Sequence, residues 1–123
     1  MTEQLSYTKF ENELRPHFRQ SLNKAESTED VKKFFTYTVQ ELLKKVLEGQ
    51  VEVYFEEVSL KPDQNPPYVL SQRLLETESL KSIWDNSDLP HVLERMAESA
   101  VNRYKHLEKH PEKTEAKIRG ERH

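Results

Sequence analysis

The stretch STEDVKKFFTYTVQELLKKVLEGQVEVYFEEVSL, residues 27–60, decides the fold. In its first part Val31, Phe34, Phe35, Val39, Leu42, Leu43, Val46 and Leu47 recur at steps of three and four, which is one face of an α-helix. Ser27 stands where an N-cap hydroxyl is needed, Asp30 occupies the third helical position, and Gly49 supplies the left-handed residue that ends a helix. The pattern predicts a helix over residues 28–48 with Lys32, Lys33, Gln40, Glu41, Lys44 and Lys45 on its wet face. Phe34 and Phe35 lie about 100° apart on such a helix, so they require either a broad buried face between two neighbours or an exposed groove.

After Gln50 the period changes to two. Val51, Val53 and Phe55 alternate with Glu52, Tyr54 and Glu56, all but the glutamates being strand-forming types, and a strand is expected over residues 51–60. Its parity slips at Glu56 and Glu57, because the next apolar residues are Val58 and Leu60; a β-bulge there would return both halves to one face. A single strand leaves its ladder donors and acceptors unpaired. Two partners are available: the short Tyr68–Leu70 run beyond the polar, proline-stiffened loop Lys61–Pro67, or the same strand of a second copy, giving a homodimer about a two-fold axis. Val51, Val53, Tyr54, Phe55 and Val58 therefore form the candidate interaction surface.

Upstream, Tyr7, Phe10, Leu14, Phe18, Leu22 and Ala25 make a second helical stripe, which Thr8 and Glu11 open in capping-box spacing and Pro16 should kink. Downstream, Leu74, Leu75, Leu80, Ile83 and Trp84 are interrupted by Glu76–Ser79, which reads as two short helices or one bent one. Asp85–Asp88 forms a turn that ends in a cap, and Pro90 falls in the first turn of a last helix carrying Leu89, Val92, Leu93, Met96, Ala97, Ala100, Val101, Tyr104 and Leu107. Pro111 closes that helix by His110. The expected fold is helix-dominated α+β: four to five helices with a small β element between the second and third, one domain over residues 1–110, and a polar, flexible tail over 111–123.

Composition limits the chemistry. At 123 residues and 34% hydrophobic content the chain has one modest core, and 33% charged residues of mixed sign give it a formal charge of -3. No apolar run is long enough for a membrane helix or a signal-peptide core, so a soluble, cytoplasmic protein with no membrane partner is expected. Zero cysteines exclude disulfides, iron–sulfur clusters and thiolate zinc sites. Glycine-rich phosphate loops and nucleophile elbows are absent.

His91, Glu94, Glu98 and Asn102 fall on one face of the last helix, a spacing that could hold a metal or set a general base beside a carboxylate. Di-iron bundles, however, use Glu-x-x-His with partner glutamates on other helices, and none is in register here. A solvated face accounts for these four residues more economically. His106 and His110 have chelating separation, but Leu107 stands where a metalloprotease needs glutamate, and basic groups at a helix C-terminus complement its dipole. His17 has no partner in the pattern. From Arg103 onward the charge is +3 against -6 for the remainder, so the tail could touch nucleic acid weakly, yet it lacks stacking aromatics and has interleaved acids. No motif calls for a cofactor or a metal. The reading is a small non-enzymatic interaction or accessory protein that meets an unidentified protein partner through an apolar and aromatic surface. The alternatives are an enzyme or metal binder on the His91/Glu94/Glu98 face, then a weak nucleic-acid module.

Overall fold

The structure, a computed structural model, describes residues 6–109. The tail expected over residues 111–123 and His110 lie outside them. Five α-helices and a two-stranded antiparallel sheet follow in the order α1 (Thr8–Lys24), α2 (Thr28–Val46), β1 (Val58–Leu60), β2 (Tyr68–Leu70), α3 (Gln72–Glu76), α4 (Glu78–Trp84) and α5 (Leu89–Lys109). The helix-dominated α+β architecture, with its β element between the second and third helices, is the one the sequence predicts.

Helix α2 is the centre of the molecule. Val31, Phe35, Val39, Leu42 and Leu43 are fully buried, and α1, α5 and β1 all pack on it. The Ser27 hydroxyl accepts the Asp30 N–H (3.1 Å) while the Asp30 carboxylate accepts the Glu26 N–H (3.1 Å), so two otherwise orphaned donors are satisfied at its start. At its end both Glu48 (φ 55°) and Gly49 (φ 72°) are left-handed, and the Gly49 N–H returns to the Lys44 carbonyl (3.0 Å). This double left-handed turn sends residues 50–54 back alongside α2.

Polar contacts fix the directions of the other long helices. Asp88 accepts the Tyr7 N–H (2.7 Å), Arg95 meets Glu11 (2.8 Å), and Arg103 donates to the carbonyls of Asn23 (3.3 Å) and Ala25 (3.2 Å). In that succession α5 runs parallel to α1. Lys45 opposite Glu13 (3.9 Å) and Lys32 over the Tyr104 ring (5.7 Å) place α2 antiparallel to both. Helix α1 continues through Pro16, as the unbroken phase of its stripe requires. The Thr8–Glu11 capping box does not form: Tyr7 holds the N-cap position, the Thr8 hydroxyl donates to Asp88 (3.0 Å), and Glu11 is buried against α5. The interrupted segment is two short helices, divided at Thr77, whose hydroxyl donates to the Leu74 carbonyl (2.7 Å) and accepts the Leu80 N–H (3.4 Å).

The strand expected over residues 51–60 is confined to Val58–Leu60. Residues 51–54 are irregular, Phe55–Glu57 is a single 3₁₀ turn in place of the bulge, and β1 pairs with β2 in the register Val58↔Leu70, Ser59↔Val69 and Leu60↔Tyr68. The physical reason is that the segment's backbone groups are taken by side chains. Gln40 Nε2 donates to the Val53 carbonyl (2.8 Å), Arg73 donates to the Glu52 carbonyl, and the Tyr54 N–H donates to the Glu57 carboxylate (3.0 Å). On the far edge of β1 the Thr36 hydroxyl donates to the Val58 carbonyl (2.9 Å). The hairpin partner within the chain therefore answers the question the sequence left open for β1, and a long edge over residues 51–60 is not there to pair with a second copy.

Candidate interaction groove

The returning segment and α1 stand on either side of α2 and leave a groove of about 740 Å³ between them. Leu14, His17 and Ser21, at helical steps of three and four on α1, form one wall; Val51 and Val53 form the other; Phe34, Tyr37 and Thr38 of α2 lie between. The adjacent phenylalanines divide here: Phe35 is fully buried, and Phe34, only partly buried, lines the groove. The Tyr37 ring, which lines the groove, meets at 5.5 Å and 56° the ring of Phe55, which lines a neighbouring cleft of about 360 Å³, and the two remain 49% and 44% exposed. Tyr54 is 51% exposed, with the Arg73 guanidinium 5.2 Å from its ring centroid. Half-exposed aromatic rings that already touch one another carry a large apolar surface at little further ordering cost.

Glu57 holds this corner together. Its carboxylate accepts Arg73 Nε (2.6 Å) and Nη2 (2.7 Å), the Ser71 hydroxyl (2.8 Å) and the Tyr54 N–H (3.0 Å). The hydrogen bonds from Arg73 lead in lowering its pKa to about 2, against burial, which raises it. Asp88 plays a similar part at the start of α1. Burial pushes its carboxyl up, but the Tyr7 N–H and the hydroxyls of Ser6 (2.8 Å) and Thr8 outweigh that and hold it below the ordinary value.

Of the surface residues expected from sequence, Val51 and Val53 line the groove and Tyr54 and Phe55 are exposed beside it, but Val58 is 3% exposed and packs in the core. That placement corrects its assignment: once the strand is cut to three residues, its alternation turns Val58 and Leu60 inward and leaves Ser59 outside. The sequence reading missed Leu14, His17 and Ser21 as groove residues. Their spacing on the edge of the α1 stripe was the available signal.

The polar face of α5 disperses. His91 is exposed, Glu94 lies near Tyr68, and Glu98 and Asn102 line a separate cleft against α1. Burial pushes the Tyr68 phenol up to about 12, with Glu94 adding to the effect. Neither His91 nor Glu94 lines the groove or that cleft. Among the described residues no group of three His, Asp or Glu side chains could hold a metal ion, and no helix is long and apolar enough to cross a membrane. His106 sits in the last turn of α5 with Lys109. Comparison with protein-family models, with curated proteins and with solved structures gives no match.

Proposed function

We propose that this chain is a small cytoplasmic, non-enzymatic interaction protein that receives a protein partner in the groove between α1, α2 and residues 49–53. The observation that supports the reading best is the Tyr37–Phe55 pair, two touching aromatic rings left about half exposed, of which Tyr37 lines a groove of mixed apolar and polar character beside Phe34, Val51 and Val53. Interfaces concentrate their energy in a few such aromatic anchors, and a groove floored by a helix suits an amphipathic segment. A second copy of the chain is one candidate occupant. The test is quantitative capture from cell extract with the wild type, the Tyr37→Glu/Phe55→Glu double variant and Leu75→Glu, Leu75 being an exposed apolar residue on α3 outside the groove. The double variant should lose a specific partner by about tenfold or more, the scale of one or two hot-spot residues, while Leu75→Glu retains it. Equal recovery with all three proteins would refute the groove.

A further inference from the structure

On the other flank of α1, facing α5, lies a cleft of about 370 Å³ lined by Arg15, Arg19 and Arg95 together with Glu11. Glu11 is 3% exposed and bridges the two helices: Arg95 donates Nε to Oε2 (3.1 Å) and Nη2 to Oε1 (2.8 Å), and Arg15 Nη2 stands 3.4 Å from Oε2. A buried ion pair is a poor source of net stability, because desolvation offsets the attraction. What it does supply is orientation. Each guanidinium has five N–H donors in a fixed fork, so Arg95 spends two on Glu11 and turns the others toward the cleft or water. The side chains of Arg15 and Arg95 are 41% and 49% exposed, and the exposed Arg19 side chain makes no hydrogen bond or ion pair among the described residues. With Glu98 on the rim, three arginines face two carboxylates and the cleft holds a formal charge of +1, short of one anion. Ser99 and Asn102 add neutral donors.

We propose that this cleft binds a carboxylate presented by an acidic peptide segment, with Arg19 and the unspent forks of Arg15 and Arg95 as donors and Glu11 as the positioning residue that aims the latter two. Arg–carboxylate pairs are often bidentate, and one carboxylate neutralises the cleft. The cleft is at the small end of the volumes that enclose a free ligand, and its arginines are about half open to water, which suits a side chain reaching in from a partner rather than an engulfed metabolite. The site goes beyond the aromatic groove and stands or falls separately from it.

The probe is a fluorescent hexaglutamate peptide titrated into the full chain at low ionic strength, where surface charges are least screened. The wild type should bind it, Arg19→Gln should weaken binding by about tenfold, and Lys33→Gln, a charge removed from exposed α2 surface, should change it by less than about twofold. Glu11→Gln separates positioning from simple attraction: it raises the formal charge of the cleft, so attraction alone would tighten binding, whereas lost aim weakens it. Circular dichroism of each variant verifies that it is folded, and if Glu11→Gln is not, the Arg19→Gln and Lys33→Gln pair decides. No binding by the wild type, equal losses in those two variants, or tighter binding by folded Glu11→Gln would overturn the proposal. Displacement of the peptide by inorganic phosphate at equal concentration would assign the cleft to a free anion and overturn the peptide as its occupant.

Discussion

Replacing Phe35 with alanine is expected to cost about 3–5 kcal/mol, the range for a buried phenylalanine whose cavity the surroundings cannot close. Phe35 is fully buried on the helix that α1, α5 and β1 share, so no single neighbour can move in without leaving another gap. Domains of this kind have about 5–15 kcal/mol in total, so the variant should be partly unfolded near physiological temperature. Phe34→Ala removes the same atoms one residue earlier but from the groove, and should cost only about 1–2 kcal/mol because part of that ring is already in water. Urea denaturation of both variants reads the difference directly. Equal losses would mean that the two rings are equally buried and that the groove is closed in solution.

The second large effect is expected at Glu57, and it depends on pH. The folded carboxyl has a pKa of about 2, below its ordinary value of 4.5, so the unfolded chain takes up the proton first as acid is added. Its stabilisation is therefore complete above the unfolded value and fades as pH falls from about 4.5 toward 2. Glu57→Gln places an amide donor among Arg73, Ser71 and Tyr54 donors that all need an acceptor. At neutral pH it should lower the thermal midpoint by about 5 °C, a modest figure because water around the half-exposed Arg73 screens the pair. The gap between wild type and variant should then narrow as pH falls to about 2. A gap that persists unchanged to that pH would show that the carboxylate's charge is not what holds residues 52–57 in place.

These two residues also mark how far the sequence could be read. Helix α2 was legible because its signals are local: Ser27, Asp30, the apolar stripe and Gly49 all act within a few positions of the bonds they make. The segment after it was not. Val51, Val53 and Phe55 have strand-forming side chains in strand spacing, and the side chains of Gln40, Arg73 and Glu57, placed by the fold, take the backbone groups of residues 52–54 that a ladder would use. The parity slip at Glu56 and Glu57 did mark a true discontinuity, a 3₁₀ turn in place of a bulge. Glu11 shows the same lesson in reverse. Its spacing from Thr8 matches a capping box, but the carboxylate is drawn to Arg95, 84 positions away, more strongly than to the Thr8 amide, which donates to the Ser6 hydroxyl instead. For the site, the adjacent phenylalanines posed the choice between a broad buried face and an exposed groove. The fold uses one ring for each, a division that depends on where residues 49–53 return.

The groove as a partner-binding surface is tested most directly by photo-crosslinking in cells, with a benzoylphenylalanine in place of Tyr37 and, as the reference, in place of Leu75. Tyr37 is on α2 at the mouth of the groove and Leu75 is outside it, with both side chains exposed. Irradiation should give one discrete adduct from position 37 and none of that mass from position 75; an adduct of twice the chain's 14.6 kDa would identify the occupant as a second copy. No adduct from position 37, or the same set of adducts from both positions, would contradict the groove as the surface through which this protein acts.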